Sequence, residues 1–259
     1  MPFFQWVLFT IPSVWLGLFI VGGAVILSVT GLLLVRRMVP HYRLKLHNDV
    51  AGPIFSTLGV VYAVLLAFVV IIVWENFDKS TLNVEYEASY LAAVYRDAEA
   101  MSPEFITMVH KDIREYRDLI VHDEWKLLAQ GKASPLVEAK IRQLWSLYTA
   151  YSPRNATEQA FFEESIRKLN SVRELRRIRL MDSSSGIHPL LWFVLIVGGF
   201  VTVSFTYFFG VENKTAQMAM AILLAMTISL ILYTIFSMDY PFTGDIIVSP
   251  DPFKQLILD

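Results

Sequence analysis

The chain has 259 residues, of which 55% are hydrophobic and 18% charged, and a formal net charge of −2, so it carries no general basic field of the kind nucleic acid attracts. It has no cysteine, which excludes disulfides, thiol catalysis and Cys-based metal sites. Aromatic residues make up 14%, and Trp6, Trp74, Trp192 and Tyr207 stand near the ends of apolar runs, where amphipathic rings favour the headgroup layer.

Four uncharged apolar runs order the chain. The first, Ile11 to Val35, has no Lys or Arg before it and is too long for the apolar region of a cleaved leader, so it is expected to stay as a membrane helix. The second, Pro53 to Trp74, spans the ~30 Å hydrocarbon layer at ~1.5 Å rise per residue. The third and fourth are Pro189 to Gly210 and Thr215 to Met238, joined by the tight turn VENK. The predicted class is an all-α integral membrane protein. Its four transmembrane helices form two hairpins, with a helical extramembrane domain between the second and third.

The chain then divides into a first span with a basic loop (1–52), a second span (53–74), the helical insert (75–187), a second hairpin (188–238) and a C-terminal segment (239–259). From Val60 to Met101 there is no Gly or Pro, so the second span is expected to continue beyond the bilayer to the break at Ser102-Pro103. Leu82, Tyr86, Tyr90, Val94 and Ala98 recur every four residues and suggest its apolar stripe. Further helices are predicted from Pro103 to a stop at Gly131, from Ser134-Pro135 to near Ser152-Pro153, and from Asn155, with Glu158 at the capping-box position, to Asp182. The run RELRRIRL, Arg173 to Leu180, reads as a solvated face in contact with lipid phosphate, or as an anion-gathering vestibule.

The stretches HND…YAVLLAFVV…W from His47, EWKLLAQGKAS from Glu124, LLWFVLIVGGF…FTYFFGVENK from Leu190 and DYPFTGDIIVSPDPF from Asp239 resemble the bacterial bestrophin-like membrane proteins, a family of unknown function, over most of the chain. The resemblance implies kinship with bestrophins, which are pentameric anion channels with four membrane helices per subunit. It therefore implies a homo-oligomeric, possible anion channel, multi-pass in the bacterial inner membrane, with itself and membrane lipids as partners and no nucleic acid. A membrane-anchored scaffold or sensor whose insert binds a partner is the alternative. The catalytic signatures HExxH, GxSxG and GxGxxG and the P-loop lysine are all missing, and the five histidines have no shared ligand spacing, so no catalytic residues are assigned.

Within the second span, Ser56, Gly59, Ala63 and Ala67 share one face whose small side chains suit close helix packing, as do the IVGG pairs Gly22-Gly23 and Gly198-Gly199. Phe55, Leu58, Tyr62, Leu65 and Val69 form a second stripe, open to reading as pore lining or as packing. The Tyr62 hydroxyl needs a partner at either. Asn48 or Asp49 can cap this span; with His47 and the basic Arg36, Arg37, Arg43 and Lys45 they can also form a pore entrance. Basic residues flank both sides of the membrane. The four after the first span favour a cytoplasmic first loop, whereas the resemblance puts the insert in the cytoplasm. Four crossings bring Glu75, Asp78, Asp239 and Asp245 to one membrane face. There they are candidates for a cation site, with oxygen ligands suited to Ca²⁺, or for a tie that holds the C-terminal segment. No other cofactor is expected.

Overall fold

The computed structural model describes residues 3–256, and every regular element among them is a helix. In chain order these are α1 (Phe3–Thr10), α2 (Ser13–Met38), α3 (His41–Lys45), α4 (Asn48–Asp97), α5 (Pro103–Leu119), α6 (Trp125–Leu128), α7 (Pro135–Ala150), α8 (Ala156–Asp182), α9 (Pro189–Phe205), α10 (Lys214–Met238) and α11 (Asp251–Lys254). Four helical stretches are long and apolar enough to cross a membrane: Ser13–Met38, Asn48–Ala100, Pro189–Phe208 and Lys214–Met238. The chain falls into two compact units. One, the membrane unit, comprises Ile11–Glu75 and Gly186–Asp239; the other comprises Asn76–Ser185 with Met1–Thr10 and Tyr240–Asp259, so far as these are described.

In the membrane unit, tyrosine rings seat on helix glycines. A Cβ at Gly198 would lie 2.6 Å from the Tyr62 ring, one at Gly31 2.8 Å from the Tyr207 ring, and one at Gly17 3.1 Å from the Tyr233 ring. Each glycine thus opens a notch that an alanine would fill. Because lipid offers no hydrophobic drive for helix association, such close fits and the hydrogen bonds they permit carry the packing. The phenols of Tyr62 and Tyr233 donate to the Leu195 and Ser13 carbonyls, both at 2.8 Å, and Ser28 donates to the Ala221 carbonyl at 3.3 Å. Helices α2 and α10 pack antiparallel over much of their length through these pairs. By contrast, Gly22, Gly23 and Gly59 have open space where a Cβ would point, so none marks a close crossing within the chain.

The second unit has a conventional apolar core, in which Leu91, Val94, Ile113, Tyr116, Leu144 and Leu169 are fully or almost fully buried. Ser134 and Asn155 cap α7 and α8 by accepting from the Val137 and Glu158 amides at 3.3 and 2.9 Å, and Gly131 stops the preceding helix with φ of +66°. Three expectations need correction here. Leu82, Tyr86 and Tyr90 are exposed; the inward face is Val84, Glu87-Ala88, Leu91, Val94-Tyr95 and Ala98. A strict four-residue repeat advances 400° per step and drifts round the helix, whereas the buried set keeps the three-and-four alternation that stays on one side. The helix from Pro103 is also not uniform, because Ile120–Glu124 form a π-helical turn. Such a turn inserts an extra residue into the helical register, and here both Ile120 and Glu124 are fully buried.

The third correction concerns the arginine run. Arg176 and Arg179 point into the core, 5% and 0% exposed. Arg179 forks onto Glu87 at 2.8 and 3.0 Å and reaches Glu124 at 3.0 Å, while Arg176 holds Glu124 at 2.7 and 3.2 Å and also pairs with Glu138. Burial alone would raise the Glu124 carboxyl, but the two guanidiniums outweigh it and hold it below the ordinary carboxylate range. The reason is positional: Ser165, Leu169, Val172, Arg176, Arg179 and Ser183 alternate at spacings of three and four on the buried side of α8, so two of its arginines occupy core sites.

The described residues near both ends of the chain, 3–10 and 240–256, group with this unit. Gln5 on α1 is fully buried and donates to the Ser183 carbonyl at 2.8 Å and to Thr243 at 3.2 Å. The C-terminal segment buries Phe242, Val248 and Phe253, and its Val248 carbonyl accepts from the Trp125 indole at 3.1 Å. Phe253 and Trp125 also flank the Arg179 guanidinium, 5.9 and 5.2 Å from their ring centres.

Candidate functional site

The stripe suggested as pore lining faces the chain's own interior. Tyr62 and Val69 are buried, Phe55, Leu58 and Leu65 are half-buried, and Leu66 and Val73 complete the closed side of α4. Tyr62 lies across Gly198 and Gly199, and Phe55 stacks on Phe205 and meets Phe209 edge-on, with ring centres 5.7 and 5.6 Å away. Tyr62 and Val69 are thus packed within the chain, while Phe55, Leu58 and Leu65 pack in part and keep part of their surface open. The face that remains open carries the small residues: Ser56, Ala63 and Ala67 are exposed and Gly59 is half-buried, with Val60, Val64, Phe68 and Ile71 exposed beside them. An apolar recess of 210 Å³ opens among Ala24, Ser28, Gly199, Tyr207, Ala225 and Ser229. Its Ser28 and Ser229 hydroxyls are spent on the Ala221 and Met226 carbonyls, so it offers no polar route for an ion.

At one end of this unit, the short connections of the two hairpins are tied together. Asn48 uses both halves of its amide on Gly210, accepting from the backbone N–H at 2.9 Å and donating to the carbonyl at 3.3 Å. It therefore does not cap α4, whose first turn hangs on the His47 carbonyl instead, accepting from the Ala51 amide at 2.8 Å. A Cβ on Gly210 would run into the Lys45 backbone nitrogen, so only glycine fits there. Lys45 pairs with Glu212 at 2.8 Å; Arg36 donates to Gln217 at 2.8 Å and to the Val211 carbonyl. Arg43 lies 6.0 Å from the Tyr42 ring centre, while Arg37, His47 and Asp49 are exposed. These are the residues suggested as an entrance, and in this unit most of them are ties between connections or exposed charges.

Among the described residues no group of three or more His, Asp or Glu side chains could hold a metal ion. Glu75, Asp78 and Asp245 are exposed, and Asp239 is buried, accepting from the Ile187 amide at 2.7 Å and the Trp192 indole at 3.2 Å. Both Asp239 oxygens are thus engaged within the membrane unit, where they join α10 to the start of α9. Burial pushes its carboxyl up to about 6 against the pull of those two donors. The sequence carried no sign of the Tyr207 and Tyr233 notches beyond the glycines at 31 and 17, nor of the Asn48 clamp.

These elements define an all-helical integral membrane protein of four spans, with a helical domain between the second and third. A Bestrophin-like domain matches residues 22–253, and the chain belongs to the bestrophin-like family. Among solved structures, a point variant of a bacterial bestrophin homologue from Klebsiella pneumoniae has a TM-score of 0.69 at 10% identity, covering 91% of this chain and 97% of its own. The same homologue phased by zinc gives 0.67 at 12%, covering 90% and 94%, and a chain described as a membrane protein gives 0.69 at 11%, covering 91% and 95%. At such identities the likeness is one of fold. No curated protein sequence matches significantly.

Proposed function

We propose that the protein is a homo-oligomeric channel of the bacterial inner membrane, conducting anions through a ring of five subunits with α4 nearest the axis. The observation that carries this reading is the uncovered side of α4. Ser56, Ala63 and Ala67 are exposed, Gly59 has open space before it, and the opposite side is closed against the chain's own α9. Small side chains let copies of one helix approach a common axis closely. A subunit of four spans encloses no hydrated route, so conduction needs assembly, and the family supports the stoichiometry and the ion class. Chloride flux into liposomes holding the purified protein, together with its native mass in mild detergent, tests this. An oligomer with flux that falls at least about tenfold in Ala63→Trp and Ala67→Trp is the expected result. Monomer alone would remove the channel. An intact oligomer without flux would leave a membrane-anchored scaffold or sensor.

A further inference from the structure

We propose that the cleft formed by Leu33, Arg36, Arg37, Pro40 and Lys214 binds the phosphate of an anionic phospholipid headgroup. The cleft has a volume of 360 Å³, and three of its five lining residues are cations with no acid among them. Arg36 is oriented by neutral partners only, the Gln217 side chain and the Val211 carbonyl, so its charge is left uncompensated. Gln217 is itself 3% exposed and locked in place, its amide nitrogen donating to the Thr206 and Phe209 carbonyls at 3.2 and 2.9 Å. The guanidinium is therefore held by a rigid support, with its unused edge available for a forked contact to a phosphate. Arg37 and Lys214 make no hydrogen bond or ion pair among the described residues, and Glu212, in the same turn as Lys214, is engaged by Lys45.

Position selects the source of the phosphate. Arg36 and Arg37 lie in the last turn of α2 and Lys214 opens α10, so all three stand where apolar spans end and headgroups begin. Leu33, 39% exposed, and Pro40 add an apolar edge along which a glycerol backbone and acyl chain can lie. Basic pockets between spans at this level suit lipid headgroups of negative charge. This inference does not rest on the channel reading, because it concerns one subunit.

The test is retention of phosphatidylglycerol by the full chain in native mass spectrometry, against phosphatidylcholine and against inorganic phosphate. Phosphatidylglycerol should be kept in preference to phosphatidylcholine and should resist millimolar phosphate. In the double variant Arg37→Gln/Lys214→Gln, retention should weaken roughly 30-fold, at about a factor of five per basic residue. The charge-matched control Arg43→Gln/Arg177→Gln, outside the cleft, should stay within about twofold. Both variants change exposed side chains, and unchanged circular dichroism confirms folding. Equal retention of the two lipids, equal loss in the control, or displacement by inorganic phosphate would each overturn the proposal, the last by making the cleft a site for soluble anions.

Discussion

The two units bury polar groups by opposite means. In the unit built from Asn76–Ser185 and the chain ends, full charges lie in the core, and Glu87, Glu124 and Arg179 are each 0% exposed. In the membrane unit the spans bury neutral groups instead: phenols and hydroxyls that donate to carbonyls one helix away or one turn back. The difference teaches that water at the margin of a unit decides which polar groups its interior can hold. A charged network is tolerated when each member is matched and the core borders water. Hydrocarbon imposes a higher cost on charge, and close packing around tyrosine and glycine does the same joining work.

Breaking the charged network should have the largest effect. Arg179→Met strands Glu87 and leaves Glu124 with Arg176 alone, and is expected to cost about 3 to 5 kcal/mol. Glu87→Leu/Arg179→Met removes both charges and should recover much of that loss in thermal unfolding of the detergent-solubilised chain. A double variant no more stable than the single would mean that packing, not charge matching, sets the cost.

Acid should separate the units by sign. Asp239, raised from 3.8 to about 6, is a group whose charged form is the strained one in the fold. Its cost is full above about pH 6 and absent below 3.8, so acidification from pH 7 should stabilise the α9–α10 junction by up to about 3 kcal/mol. Glu124 behaves in the opposite sense. Its carboxyl is depressed, so its contribution is present above the ordinary carboxylate value and is lost as pH falls through the lower folded one. Hydrogen exchange, corrected for intrinsic pH dependence, should show 187–192 more protected at pH 5 than at pH 7, and 120–128 loosening only below about pH 4. The same trend in both segments would defeat the contrast.

A smaller effect probes the notches. Gly198→Ala puts a methyl 2.6 Å from the Tyr62 ring and should cost about 1 to 3 kcal/mol, whereas Gly22→Ala, with nothing within 4 Å, should be near neutral in subunit stability. The smallest change is Tyr62→Phe. It deletes the bond to the Leu195 carbonyl and keeps the ring, so about 0.6 kcal/mol is expected. If Tyr62→Phe cost more than Gly198→Ala, the hydroxyl rather than the ring would be holding the spans.

What the sequence revealed follows from the same physics. The four spans were legible because uncharged runs of that length have few other uses, and the Ser134 and Asn155 caps and the Gly131 stop because local backbone chemistry suffices for them. The family could be recognised from motifs spread along the chain. The buried arginines were not legible, since charge reads as surface until Glu87 and Glu124, far off in sequence, are seen to meet Arg179. Nor was the orientation of α4. Tyr62 and Ala63 are neighbours in sequence about 100° apart on the helix, and only the presence of Gly198 and Gly199 decides which of them turns inward.

The Asn48–Gly210 clamp has a mechanical consequence. Both hairpin connections meet at one point, where the Asn48 amide grips Gly210 and a Cβ on that glycine would run into the Leu44–Lys45 backbone. Sliding one hairpin past the other would have to shear that joint. The membrane unit is thus pinned at both ends, by Asn48 on Gly210 where the connections meet and by Tyr233 on the Ser13 carbonyl at the opposite end, so its hairpins are braced against a stroke along their axes.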